Sequence, residues 1–205
     1  MQMPEQKTSR TPLHFWVLTG MLALAASILT WVPENPVATF GWLKASPGMS
    51  FWRCFSCHFV HLGGRHLLVN LAALASLAAI AGLQEKQGDV TGGFYGALLA
   101  GMLGICLGLH ALDAGVTWYV GLSGALYGVY AWLVLDMASL RHWRGRVAWG
   151  LYCCGMAKAL LDAQASVGAL GLAGIPLAPP AHLYGLLGGT LWAALRYALG
   201  IRRER

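Results

Sequence analysis

Ser123 stands in the string Gly121-Leu122-Ser123-Gly124-Ala125-Leu126-Tyr127-Gly128, among small residues at the start of an apolar run. Alone, such a serine is an ordinary helix-packing residue. Its hydroxyl becomes a nucleophile only where a neighbouring base takes its proton. Histidine suits that task because its charge change falls near neutral pH, and His182 opens another apolar run. His66 and Asn70, four residues apart, open a third, and on a helix they share one face. Both can donate a hydrogen bond to the oxyanion that forms when serine attacks a carbonyl, joined by a backbone N–H near Ser123. No acidic residue is obviously placed to orient His182. The economical chemistry is therefore a Ser–His dyad, with Tyr127, one turn below Ser123, as a platform for the imidazole.

The elements that must position these groups are helices in a membrane. The chain has 205 residues, 57% hydrophobic and only 11% charged, where a soluble domain carries about 25% charged residues. This is an all-α, polytopic composition, and one domain accounts for residues 1–205. Six apolar runs approach the length of about 20 residues that a span needs: roughly 13–32, 66–83, 93–111, 119–137, 147–165 and 181–199. The first could be taken for a signal peptide, but Trp31-Val32-Pro33-Glu34 is a poor cleavage site, and a retained helix is expected.

Lys7, Arg10, Lys86, Arg141, Arg144, Arg146, Arg202, Arg203 and Arg205 all fall on one side of a six-span arrangement. By the positive-inside bias that side is the cytoplasm, with both termini in it. The basic residues behave as topology signals, so the net charge of +6 does not indicate nucleic-acid binding. The long first loop, 33–65, carries Phe40, Trp42, Phe51, Trp52, Phe55 and Phe59, a composition for the membrane interface.

With this parity the second, fourth and sixth spans all run inward from the outer face. His66, Asn70, Ser123 and His182 then lie within roughly 10 Å of the outer boundary at 1.5 Å rise per residue. Polar residues inside a membrane are costly and face protein or a wet cavity. Gly124 with Gly128, and Gly185 with Gly189, form small-xxx-small pairs that let the fourth and sixth spans pack closely. Lys158 and Asp162 are expected to stand apart from this outer cluster.

These residues resemble the rhomboid family of intramembrane serine proteases. The resemblance runs from about Trp52 to Gly189 through Trp52-Arg53, the stretch His61 to Asn70 with its His66-xxx-Asn70 pair, Gly121-Leu122-Ser123-Gly124 with Tyr127, and Ala181-His182-Leu183-Tyr184-Gly185-Leu186-Leu187-Gly188-Gly189. It implies a six-transmembrane-helix rhomboid core, Ser123 as nucleophile and His182 as base. The oxyanion site would be His66, Asn70 and the Leu122 and Ser123 amides. Gly121, Gly124, Tyr127, Trp52, Arg53, Gly185 and Gly189 would support it.

Within the family the chain looks most like the rhombosortase branch, compact bacterial inner-membrane members whose site opens toward the periplasm. That branch is thought to process proteins bearing a Gly-Gly-type C-terminal tail. His58-Phe59-Val60-His61-Leu62 favours the branch, as do Lys158 and Asp162, though Asp stands where Glu is expected. Each glycine weakens a helix by about 1 kcal/mol relative to alanine, so such a tail offers an unwound scissile segment. Hydrolysis and acyl transfer stay open. The alternatives are a housekeeping rhomboid protease of other substrates and a non-catalytic rhomboid-like protein that binds membrane clients.

No metal or cofactor is expected. Cys54-Phe55-Ser56-Cys57-His58 matches a c-type haem string and, with His61, a zinc set, but both are minor readings beside the resemblance. A disulfide among the outward-facing cysteines suits an oxidising compartment, and Cys54, Cys57, Cys153 and Cys154 allow several pairings. Cys106 and His110 read as structural. Lys158–Asp162, at i,i+4, reads as an ion pair that sets helix packing, with a substrate-tail contact as the alternative.

Overall fold

The computed structural model describes residues 11–44, 51–83, 89–113, 115–139, 143–164 and 179–201. Among them six long helices follow one another: α1 (Leu13–Trp31), then, after two short helices α2 (Pro36–Phe40) and α3 (Arg53–Ser56), α4 (Gly64–Leu83), α5 (Val90–Ala111), α6 (Ser123–Ala138), α7 (Trp143–Gln164) and α8 (Pro179–Ala198). Local chemistry starts several of them. Asn35 accepts from the Ala38 N–H at 3.1 Å with Pro36 in the first turn of α2. Asp89 accepts from the Gly92 N–H at 2.7 Å to cap α5. Both side chains satisfy donors that a helix N-terminus leaves orphaned.

Among the described residues three helices, α1, α4 and α5, are long and apolar enough to cross a membrane. The run expected to be helical from residue 119 begins its helix only at Ser123, and α6 has 16 residues. The reason lies upstream. Trp118–Tyr119 (β2) pairs antiparallel with Trp42–Leu43 (β1), in the register Trp42↔Tyr119 and Leu43↔Trp118, and Gly121 has φ +116°. Neither feature belongs to a helix. The pairing gives backbone polar groups in two aromatic segments their partners, as a poorly hydrated environment demands.

At the centre, α5, α6 and α8 meet backbone to backbone. A Cβ at Gly185 would fall 1.9 Å from the Gly124 carbonyl oxygen, one at Gly189 2.0 Å from that of Gly128, and one at Gly188 2.2 Å from that of Ala100. Only glycine fits these contacts. Such close packing lets the helix backbones touch along their length and gathers many small dispersion contacts. Trp192 covers the glycine face of α5, its indole N–H donating to the Gly93 carbonyl at 3.1 Å.

The first loop is a folded layer. Arg53 donates to the carbonyls of Ala38 at 2.9 Å and Gly41 at 2.8 Å and lies over Trp52. Ser56 donates to the Phe40 carbonyl at 2.7 Å. Cys54 is joined by a disulfide to Cys106 of α5. This settles the open pairing differently from every combination of Cys54, Cys57, Cys153 and Cys154. Cys106 lies inside an apolar helix, which disguises it as a packing residue. With Cys54 so engaged, the Cys-x-x-Cys-His string offers one free thiol, on the buried Cys57.

Candidate active site

Ser123 is the first residue of α6, and the turn before it is fixed on every side. The Gly121 N–H donates to the Cys57 carbonyl at 2.9 Å. The Gly121 carbonyl accepts from the Tyr119 hydroxyl at 2.7 Å and from His58 Nδ1 at 3.3 Å. Gly121 is required twice over. Its φ of +116° is in the region that side chains disfavour, and a Cβ would lie 2.7 Å from Cε1 and 2.8 Å from Nε2 of His66. The glycine thus lets the His66 imidazole approach the serine turn.

His66 Nδ1 accepts from the Leu62 N–H at 3.2 Å. A neutral imidazole carries one proton, so that proton sits on Nε2, the nitrogen beside Gly121. Asn70 is buried and donates to the His66 carbonyl at 2.9 Å. That bond uses one of its two amide hydrogens. Leu122 is fully buried.

His182 lies in the first turn of α8, and its Nε2 is 3.2 Å from Ser123 Oγ. Tyr127 stacks on the imidazole with ring centroids 4.6 Å apart and planes 16° apart. The expectation of an unpartnered dyad is overturned: His182 Nδ1 lies 2.9 Å from Asp162 Oδ2. Lys158 pairs with the other oxygen of the same carboxylate. Lys158 and Asp162, expected to stand apart from the polar cluster, therefore belong to it. Asp162 is in the last turn of α7, at the end where α8 begins. The signal in the sequence was the i,i+4 pair itself. The helix face it occupies decides its role, and that face is set by how α7 meets α8.

Trp52 and Arg53 are not brought to Ser123; their contacts lie within the first loop. Gly124, Gly185 and Gly189 form the helix contacts already described. His58 and His61 buttress the serine turn and α1, His61 Nδ1 lying 3.2 Å from the Thr30 hydroxyl. Burial pushes the His58 imidazole down to about 4. Burial, and then the neighbouring His66, push His61 down to about 3. Both are neutral at physiological pH.

A hydroxyl within hydrogen-bonding reach of an imidazole nitrogen is the pairing that nucleophilic acyl transfer uses, and the His66 ring lies beside the turn that carries this hydroxyl. No curated protein matches the chain. A family model described as a rhomboid domain matches residues 48–199.

Proposed function

Because the chain belongs to the rhomboid family, multi-pass intramembrane proteases that act on membrane-protein substrates in the bilayer, we propose that it is a serine endopeptidase with Ser123 as nucleophile and His182 as general base. The observation that carries this is the 3.2 Å approach of His182 Nε2 to Ser123 Oγ. As Oγ attacks the scissile carbonyl, its proton passes to Nε2. The carbonyl electron pair becomes an oxyanion, received by His66 Nε2–H, Asn70 and the Leu122 and Ser123 amides. His182 then gives its proton to the leaving amine, and water or another amine releases the acyl group from Ser123.

The proposal includes a six-span arrangement with α6, α7 and α8 also in the membrane, both termini cytoplasmic and the site near the outer, periplasmic face of a bacterial inner membrane. The rhombosortase branch is its finer form, with Gly-Gly-type C-terminal tails as substrates. A Gly-Gly pair at the head of an apolar tail supports this physically, since it lowers the cost of unwinding the segment that must reach Ser123.

The test is direct. In detergent, wild type should be labelled by a serine-directed fluorophosphonate and Ser123→Ala should not. Equal labelling of the two would remove Ser123 from its role. Absence of labelling in wild type, under conditions that label an active rhomboid, would favour a client-binding protein without activity. For the branch, a deletion strain should retain Gly-Gly tails on proteins that carry them.

A further inference from the structure

The geometry points to Asp162 as a positioning residue for His182, so that the proposed nucleophile and base work as a Ser123–His182–Asp162 relay whose acid is held in place by Lys158. This rests on the reading of Ser123 and His182 given above.

Both oxygens of the Asp162 carboxylate have partners. Oδ2 meets His182 Nδ1 at 2.9 Å, and Oδ1 meets the Lys158 ammonium. Asp162 is only 7% exposed. An unpaired carboxylate so placed would be costly and would take up a proton. Lys158, its side chain 46% exposed, supplies the opposite charge. Asp162 can therefore stay ionised and accept from the imidazole.

This bond does three things that Ser123 and His182 cannot do alone. It requires the proton on Nδ1, which leaves the Nε2 lone pair facing Ser123 Oγ. It fixes the rotation of the ring in its own plane, while the Tyr127 stack fixes the plane. It also places a negative charge beside the imidazolium that forms when Nε2 takes the serine proton. In that step one proton moves from Oγ to Nε2, the Oγ electron pair forms the bond to the acyl carbon, and Asp162 takes up no proton. The titratable and charged groups around His182 are Tyr127 on α6, Asp162 and Lys158 on α7, and His66 on α4.

The experiment measures the rate of fluorophosphonate labelling of the full chain in detergent across the neutral pH range. Asp162→Asn should slow labelling by up to about 10⁴-fold, the loss seen when Asn replaces the acid of a serine–histidine–acid site. It should also move the acid limb of the rate profile to lower pH, because the imidazolium loses its counter-charge. Asp162→Glu, which keeps the carboxylate, should recover much of the rate. A purely structural bridge would lower thermal stability and leave the limb where it is in wild type. Should Asp162→Asn fail to fold, the wild-type chain still reports: a far-downfield imidazole proton resonance, absent from His182→Ala, is expected of the Nδ1–H bond. An unmoved acid limb, or no such resonance, overturns the relay. Labelling that persists in Ser123→Ala overturns the underlying assignment instead, so the two failures are distinct.

Discussion

Two halves of this molecule hold the candidate site, and they are built on different physics. The half made of α5, α6 and α8 carries Ser123 and His182 and is held by backbone contact through Gly124, Gly128, Gly185, Gly188 and Gly189. The half made of the first loop and α4 carries His66 and Asn70 and is held by directional links. These are the Arg53 bonds, the histidine bonds to Thr30 and Gly121, and the Cys54–Cys106 disulfide. The first half has no group that titrates or is reduced in its glycine contacts. The second depends on groups that do both. The spacing of α6 and α8 should therefore be robust to solution conditions and intolerant of added atoms, whereas the loop layer should respond to acid and to reduction.

Three perturbations can break or sharpen this contrast. The largest effect is expected from Gly185→Val, whose Cβ would sit 1.9 Å from the Gly124 oxygen. Forcing α6 and α8 apart should cost about 3 kcal/mol or more and abolish fluorophosphonate labelling. A thermal melt near that of wild type would show that the glycine contact is not what fixes the site. Next is Cys106→Ser, which frees the loop from α5. A loss of about 2–4 kcal/mol is expected, read by denaturation, with protease nicking concentrated in the loop and not in α8.

The smallest effect is that of mild acid. His58 and His61 are held neutral by burial, with folded values of about 4 and about 3, whereas an unfolded histidine titrates near 6.5. A lowered folded value gives stability that is complete above about pH 6.5 and is lost progressively as pH falls toward those folded values. At about pH 6 the loss is about 1 kcal/mol for each histidine. Hydrogen exchange should show the loop opening first, with the α6–α8 contact still protected.

How far this organisation is legible in the sequence follows the same division. The meeting of Ser123 with His182 can be read because two glycine pairs at four-residue spacing, in two apolar runs of like direction, leave few ways to pack. The approach of His66 to the Gly121 turn follows from the same parity. Three features resist such reading. Cys106 lies in the apolar pattern of α5, and nothing in that pattern says which face meets the loop. The pairing of Trp42–Leu43 with Trp118–Tyr119 is too short to leave a periodic signature. Asp162 announces its partner on its own helix, Lys158, and conceals its partner on the next, because the contact to His182 depends on the rotation of α7 about its axis.

The seated glycines also limit how this protein can diverge by descent. On α8, Leu187, Leu191 and Leu195 are exposed, and a lineage can exchange them freely among apolar residues. Gly185 and Gly189 leave no such latitude, since every single-codon step away from glycine adds a Cβ inside a neighbouring carbonyl. Variation is then confined to positions such as these leucines, while the angle between α6 and α8 is inherited unchanged.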